Sequence, residues 1–203
     1  PGVLVSAVVV AEAPELHRMN YGVMYNPALA GEIRVPVEKL AKMPLDERKI
    51  IARRAAFELP PNGVVNLGVG APEGISAVAN EEKVTPYITL TTEAGAIGGV
   101  LASGSSFGAA TNADSIIQQN QQFDFYDGGG LDMAFLGMAE TDAQGSVNVG
   151  AFGSGPTRRL AGVGGFINIT QSTPELVFMG SFTSGGLVLE WRAGALHIAR
   201  EGR

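Results

Sequence analysis

Apolar residues along this chain fall into short runs broken by glycine, proline and asparagine, and none approaches the ~18 consecutive positions of a membrane-spanning helix. The opening Val3-Leu4-Val5-Ser6-Ala7-Val8-Val9-Val10 reads as a strand over residues 2–11. Residues 12–45 follow with Pro14, Asn20, Gly22, Asn26, Pro27, Gly31, Pro36 and Pro44, a density of turn formers that predicts an irregular connection. So long a stretch without regular structure reads as a linker between domains, packed along a surface by Tyr21, Tyr25, Leu29, Ile33 and Val35. A helix then starts with Asp46 as N-cap, runs through Ile50, Ile51, Ala55, Ala56 and Phe57 to Leu59, and stops at Pro60-Pro61-Asn62-Gly63. Arg48, Lys49, Arg53 and Arg54 are expected on its solvated face.

From there buried runs alternate with glycine turns. Strands are expected at 64–67, 87–92, 123–127, 131–137, 147–149, 167–169 and 175–179, helices at 75–80 and 113–119, and a hairpin at 187–200 with Trp191 and His197 packed in it. The pattern predicts an α/β fold: an open, mostly parallel sheet flanked by helices, with a C-terminal β-hairpin. It divides the chain into residues 1–45, a last strand of a preceding half plus linker, and a domain over 46–203. Beginning on Pro1 and running at once into a strand-like segment, the chain reads as one entered partway through a larger protein, although removal of an initiator methionine before Pro1 gives the same start.

The chemistry concentrates where strands end. Tyr87-Ile88-Thr89-Leu90-Thr91-Thr92 delivers Glu93 into the small-residue turn Ala94-Gly95-Ala96-Ile97-Gly98-Gly99, and strand C-terminal ends are where open α/β sheets bind ligands. Residues 84–157 contain no Lys, Arg or His, so Glu93 has neither a sequence-local cation nor a local histidine base. A carboxylate that caps the next turn is the alternative reading. Gly68-Val69-Gly70 follows the strand at 64–67 and precedes a helix, an arrangement that aims backbone N–H groups at an anion, although misplaced spacing and Pro72 break the dinucleotide fingerprint. A second glycine turn, Gly162-Val163-Gly164-Gly165, comes after Arg158 and Arg159. These turns and Glu93 are expected to converge at one edge of the sheet.

A net charge of −6 leaves no basic stripe for nucleic acid. The absence of cysteine removes disulfides and thiolate chemistry, and two histidines, His17 and His197, are too few for a multi-histidine metal site. No metal and no membrane contact is expected, and a cytoplasmic location is the natural expectation.

Taken in order, the segments at 45–56, Val65-Asn66-Leu67-Gly68-Val69-Gly70-Ala71-Pro72-Glu73-Gly74, Thr92-Glu93-Ala94-Gly95-Ala96-Ile97-Gly98-Gly99, 123–137, 145–149 and 162–169 resemble the family I coenzyme A transferases, in particular those acting on acetate, propionate and other short-chain acids. The resemblance runs over nearly the whole chain and is to the linker and second, glutamate-bearing half of single-chain members. It implies that Glu93 is the nucleophile, that acyl-CoA and short-chain carboxylates are substrates, and that coenzyme A is bound covalently only in passing, as a glutamyl-CoA thioester in a ping-pong cycle. By the same resemblance Gly164, Gly165, Gly68, Val69 and Gly70 hold the oxyanion and the CoA end; Arg158 and Arg159 are candidates for contacts with CoA phosphates, with a plain surface pair as the alternative reading. It implies an N-terminal half as partner and a homo-oligomer. The missing half supplies part of the acyl pocket in this family, and Ala94-Gly95-Ala96 differs from several relatives, which leaves the acyl chain open. An acyl-CoA hydrolase on the same scaffold and a non-catalytic sugar-phosphate-sensing module are the rival readings. The sensors commonly carry a basic DNA-binding helix pair, absent here.

Overall fold

The computed structural model describes residues 2–153, 155–181 and 186–201; Pro1 lies outside them. Six strands make one sheet: β1 (Val64–Leu67), β2 (Thr89–Thr91), β3 (Ala96–Ile97), β4 (Ser115–Ile116), β5 (Met133–Gly137) and β6 (Glu175–Met179), in the spatial order β6-β5-β1-β2-β3-β4. β1 runs parallel to β2 and β5, and β5 parallel to β6, while β3 is antiparallel to both neighbours. The chain goes from β1 to one side for β2 and later to the other side for β5, so the strand order reverses at β1. Such a switch point opens a crevice beyond the strands' C-terminal ends.

Among the described residues four α-helices cover the sheet. Ala55 of α1 (Glu47–Ala56) and Ile75 of α2 (Glu73–Glu81) share a core with Val65, Leu67, Leu90, Met133 and Phe135. Tyr126 of α3 (Gln119–Asp127) and Ile169 of α4 (Phe166–Ser172) share a second core with Ala134 and Leu136. The period of two along β5 thus sends Met133 and Phe135 to one face and Ala134 and Leu136 to the other. Removing the fully buried Phe135 from water contributes roughly 2–3 kcal/mol. A separate hairpin, β7 (Val188–Arg192) and β8 (Ala195–Arg200), turns at Ala193 and Gly194.

Several expectations need correction. Residues 2–11 form no strand: Gly2–Leu4 is a single 3-10 turn, and Val8, Val9 and Val10 are at least 80% exposed. A strand needs a neighbour for its N–H and C=O groups, and none lies alongside among the described residues. In the connection Leu29 is buried, but Tyr21, Tyr25 and Ile33 face solvent. The expected strand at 123–127 is helix α3, capped by the reciprocal Gln118–Gln121 box; its Gln122 and Tyr126, four apart, are both buried. The expected helix at 113–119 contains strand β4 instead, recruited as the partner of β3. Residues 167–169 are helical, with Ile169 inward and Ile167 outward. Trp191 and His197 are exposed rather than packed.

Asp46 caps α1 as expected, accepting the Lys49 N–H at 3.0 Å. Lys49, however, leaves the solvated face. Its Nζ donates to Glu81 Oε2 at 2.5 Å and to Met43 O at 2.9 Å, while Glu81 Oε1 accepts the Met43 N–H at 2.8 Å, so one ion pair ties the incoming connection to α1 and α2. The side chains are only 11% and 14% exposed. Burial acts to raise the Glu81 pKa, but the bonds from Lys49 and Met43 together hold it below the ordinary glutamate value. Lys49→Met strands that carboxylate and is expected to cost up to roughly 3 kcal/mol in urea unfolding. Its folded pKa being depressed, the wild-type advantage is lost as pH falls through that value.

Candidate active site

β2 ends at Thr91, and the next residues are pinned from three directions. Thr92 donates its N–H to Ala96 O at 3.0 Å and its hydroxyl to Gly108 O at 3.0 Å, and its own carbonyl accepts the Gly95 N–H at 3.0 Å. Gly95 has φ +117°, and a Cβ there would strike the Ile117 carbonyl, so only glycine closes this turn. The reversal leaves Glu93 half-buried beside the strand ends. Thr91 and Asn66 each bond the Tyr126 hydroxyl, which places both on the α3 face of the sheet, and Glu93 Oε2 lies against Gly165 together with Phe123 of α3.

A cleft of about 450 Å³ opens there, lined by Glu93, Asn66, Gly68, Val69, Gly70, Gly137, Met138, Ala139, Val149, Gly164, Gly165 and Met179 among others. The structure thus brings the two glycine turns and Glu93 into one cleft at the C-terminal ends of β1, β2, β5 and β6. Gly165 touches Glu93 so closely that a Cβ would collide with Glu93 Oε2 and come 2.9 Å from Phe123 Cε1. Arg158 and Arg159 do not line this cleft; both are exposed, with Arg159 paired to Phe152 in a short ribbon. Met138, Ala139, Val149 and Met179 were not anticipated as lining residues. For Met138, Ala139 and Met179 the position just after β5, or at the end of β6, was the available signal; Val149, which follows the short strand Val147–Asn148, had none.

Among the described residues no cation pairs with Glu93. Burial therefore acts unopposed and pushes the Glu93 carboxyl above its ordinary value. The N–H groups around it differ in availability. Gly68 N–H is spent on Phe135 O at 2.8 Å and Gly70 N–H on Glu73 Oε1 at 2.7 Å, whose other oxygen takes Gly104 N–H at 2.7 Å. No acceptor among the described residues takes the N–H groups of Val69, Gly164 or Gly165. Chemically, this is a poorly hydrated carboxylate next to unspent backbone donors in a glycine-walled cleft.

No protein-family model matches the sequence. Individual proteins do. The chain is 47% identical to the caffeate CoA-transferase of Acetobacterium woodii, with the alignment covering 100% of the chain and 39% of that enzyme. It is 40% identical to the acetate CoA-transferase YdiF of Escherichia coli O157:H7, over 100% of the chain and 37% of YdiF. The crystal structure of the YdiF apoenzyme superposes with a TM-score of 0.70 at 39% identity, over 88% of this chain and 32% of the other. A YdiF thioester complex with CoA gives 0.64 at 41% identity, over 81% and 30%. The chain therefore spans less than two fifths of the length of these two curated relatives. No helix among the described residues is long and apolar enough to cross a membrane. With sequence matched from end to end and the sheet shared, the chain belongs to the family I coenzyme A transferases.

Proposed function

We propose that this chain is the glutamate-bearing half of an enzyme that transfers coenzyme A between a short-chain acyl-CoA and a free carboxylate, with Glu93 as nucleophile. The observation that carries the proposal is a half-buried carboxylate with no cation beside it among the described residues, its pKa raised by burial, against the Gly165 backbone. A carboxylate that has lost water and gained no counter-ion is a stronger nucleophile than a solvated one.

The cycle conserves every atom. A Glu93 carboxylate oxygen adds to the thioester carbonyl, the C–S bond breaks, and CoA leaves as thiolate from an acyl-glutamyl anhydride. The thiolate then adds to the Glu93 side-chain carbonyl, releasing the first acid and leaving a glutamyl-CoA thioester. A second carboxylate repeats the steps in reverse. Each addition puts negative charge on a carbonyl oxygen, and the unspent N–H groups of Val69, Gly164 and Gly165 are the donors proposed to meet it. Gly68 and Gly70 have theirs committed and serve by leaving room for a close approach. That a CoA thioester complex of YdiF exists supports this assignment.

The remainder of the enzyme, an N-terminal half by the same reading, completes the acyl pocket. The exposed apolar residues Val8, Val9 and Val10 and the short match to the relatives' length support a neighbour for residues 1–45, with 46–203 as the catalytic domain. In the full-length protein CoA release from an acyl-CoA is expected to depend on an added short-chain carboxylate such as acetate, with parallel double-reciprocal lines. Equal turnover without acceptor would instead establish the hydrolase, in which water resolves the intermediate.

A further inference from the structure

Beneath the cleft lies a polar cluster to which the transfer chemistry assigns no task. The Tyr126 hydroxyl, fully buried on α3, accepts from Gln122 Nε2 at 2.8 Å, donates to Asn66 Oδ1 at 3.1 Å and lies 2.8 Å from Thr91 Oγ1. The Thr91 hydroxyl in turn donates to Val65 O at 3.1 Å. A phenol and two carboxamides between sheet and helix are a costly choice where apolar side chains would pack, unless the polar atoms have work to do. Two of those atoms lack any partner among the described residues: Asn66 Nδ2 and Gln122 Oε1. Of the two side chains, Asn66 lines the Glu93 cleft and Gln122 does not. Asn66 is 1% exposed, so its free amide hydrogens have no bulk water to turn to. Burial, with the Glu93 charge adding to it, pushes the Tyr126 pKa up to about 12 against the contact with Thr91 and the hydrogen bond from Gln122, so the phenol remains a donor throughout the neutral range.

Resting on the Glu93 reading above, we infer that Tyr126 is a positioning residue: its O–H bond to Oδ1 fixes the Asn66 carboxamide so that Nδ2 faces the cleft and donates to the acyl carbonyl oxygen as Glu93 adds. In that step the Glu93 oxygen–carbon bond forms, the carbonyl π pair moves onto oxygen, and Nδ2–H binds the new charge without giving up its proton. Collapse then expels the thiolate and releases the bond. Donors fixed in advance of the charge are worth more than donors that must reorient. Without Tyr126 the Asn66 carboxamide is free to rotate its donor away.

The test is the single-turnover rate of adduct formation at Glu93 in the full-length protein, measured across acyl-CoA concentrations. Tyr126→Phe keeps the ring and removes the hydroxyl; the rate is expected to fall roughly 10- to 100-fold with little change in half-saturating acyl-CoA. In an Asn66→Ala background the same change should cost less than about 3-fold, because a residue acting through another couples to it. A wild-type rate in Tyr126→Phe, or an undiminished further loss in the Asn66→Ala background, overturns the inference. Should Tyr126→Phe fail to fold, a wild-type rate in Asn66→Ala alone overturns it as well. Absence of any Glu93 adduct in the wild-type enzyme is a different result and sinks the underlying reading.

Discussion

Glu93→Gln in the full-length enzyme is expected to lower kcat by on the order of 10³-fold or more while raising the Tm at neutral pH. The loss follows from chemistry: glutamine keeps the shape but offers no anionic oxygen to the thioester carbonyl, so CoA binding should survive and turnover should not. The gain follows from burial. Glu93 has its pKa raised by desolvation with no cation among the described residues to offset it, so the native state holds a proton more tightly than the unfolded chain. Stability attributable to this group is therefore highest below the unfolded value of about 4.5 and declines as pH rises through the higher folded value. Glutamine removes that cost, so the Tm difference should vanish in acid and open towards neutrality. The rate of adduct formation should show its acid limb displaced upward from an ordinary glutamate. A Tm for Glu93→Gln below wild type at pH 7 would mean that the carboxylate is a structural cap.

Gly165→Ala is expected to lower kcat/KM by roughly 10²-fold. The backbone there, at φ −74° and ψ −6°, suits alanine, so no conformational strain confuses the result. The methyl instead lands on Glu93 Oε2 and the edge of Phe123, and must push the carboxylate from its place against the glycine turn. Gly164→Ala supplies the contrast. At φ +51° it strains the backbone by roughly 1 kcal/mol, yet nothing lies within 4 Å of its Cβ. Steady-state kinetics and thermal melts on both variants separate obstruction from strain. Equal kcat/KM losses would show that Gly165 acts through the fold alone.

What the sequence made legible was the material that repeats with a period or ends in glycine. Val64–Leu67, the run into Glu93, Met133–Gly137 and Glu175–Met179 are apolar stretches bounded by turns, and each is a parallel strand. Because ligands gather at the C-terminal ends of such strands, finding the strands also located Glu93 and the Gly68–Gly70 turn, whereas the Gly162–Gly165 turn, which precedes α4, was marked by its glycines alone. The misreadings occurred where local alternation and tertiary demand disagree. Phe123, Phe125 and the aspartates alternate as in a strand, but the Gln118–Gln121 box starts a helix and the four-residue spacing of Gln122 and Tyr126 buries one side of it. Ser115 and Ile116 pair with β3 through contacts that no local pattern announces. Lys49 reads as a surface cation until Glu81, far along the chain, closes on it. The Tyr126 cluster was invisible for the same reason, since Asn66, Thr91 and Gln122 meet only after β1, β2 and α3 have packed.

The most direct measurement is to capture the covalent intermediate. Full-length enzyme incubated with acyl-CoA and no acceptor, then treated with borohydride or hydroxylamine and digested, is predicted to yield the peptide containing residue 93 carrying a reduced alcohol or a hydroxamate at Glu93, and to yield neither in Glu93→Ala. Mass spectrometry that finds the modification on Asp127, Asp132 or Glu140, or undiminished CoA transfer by Glu93→Ala, would contradict the assignment.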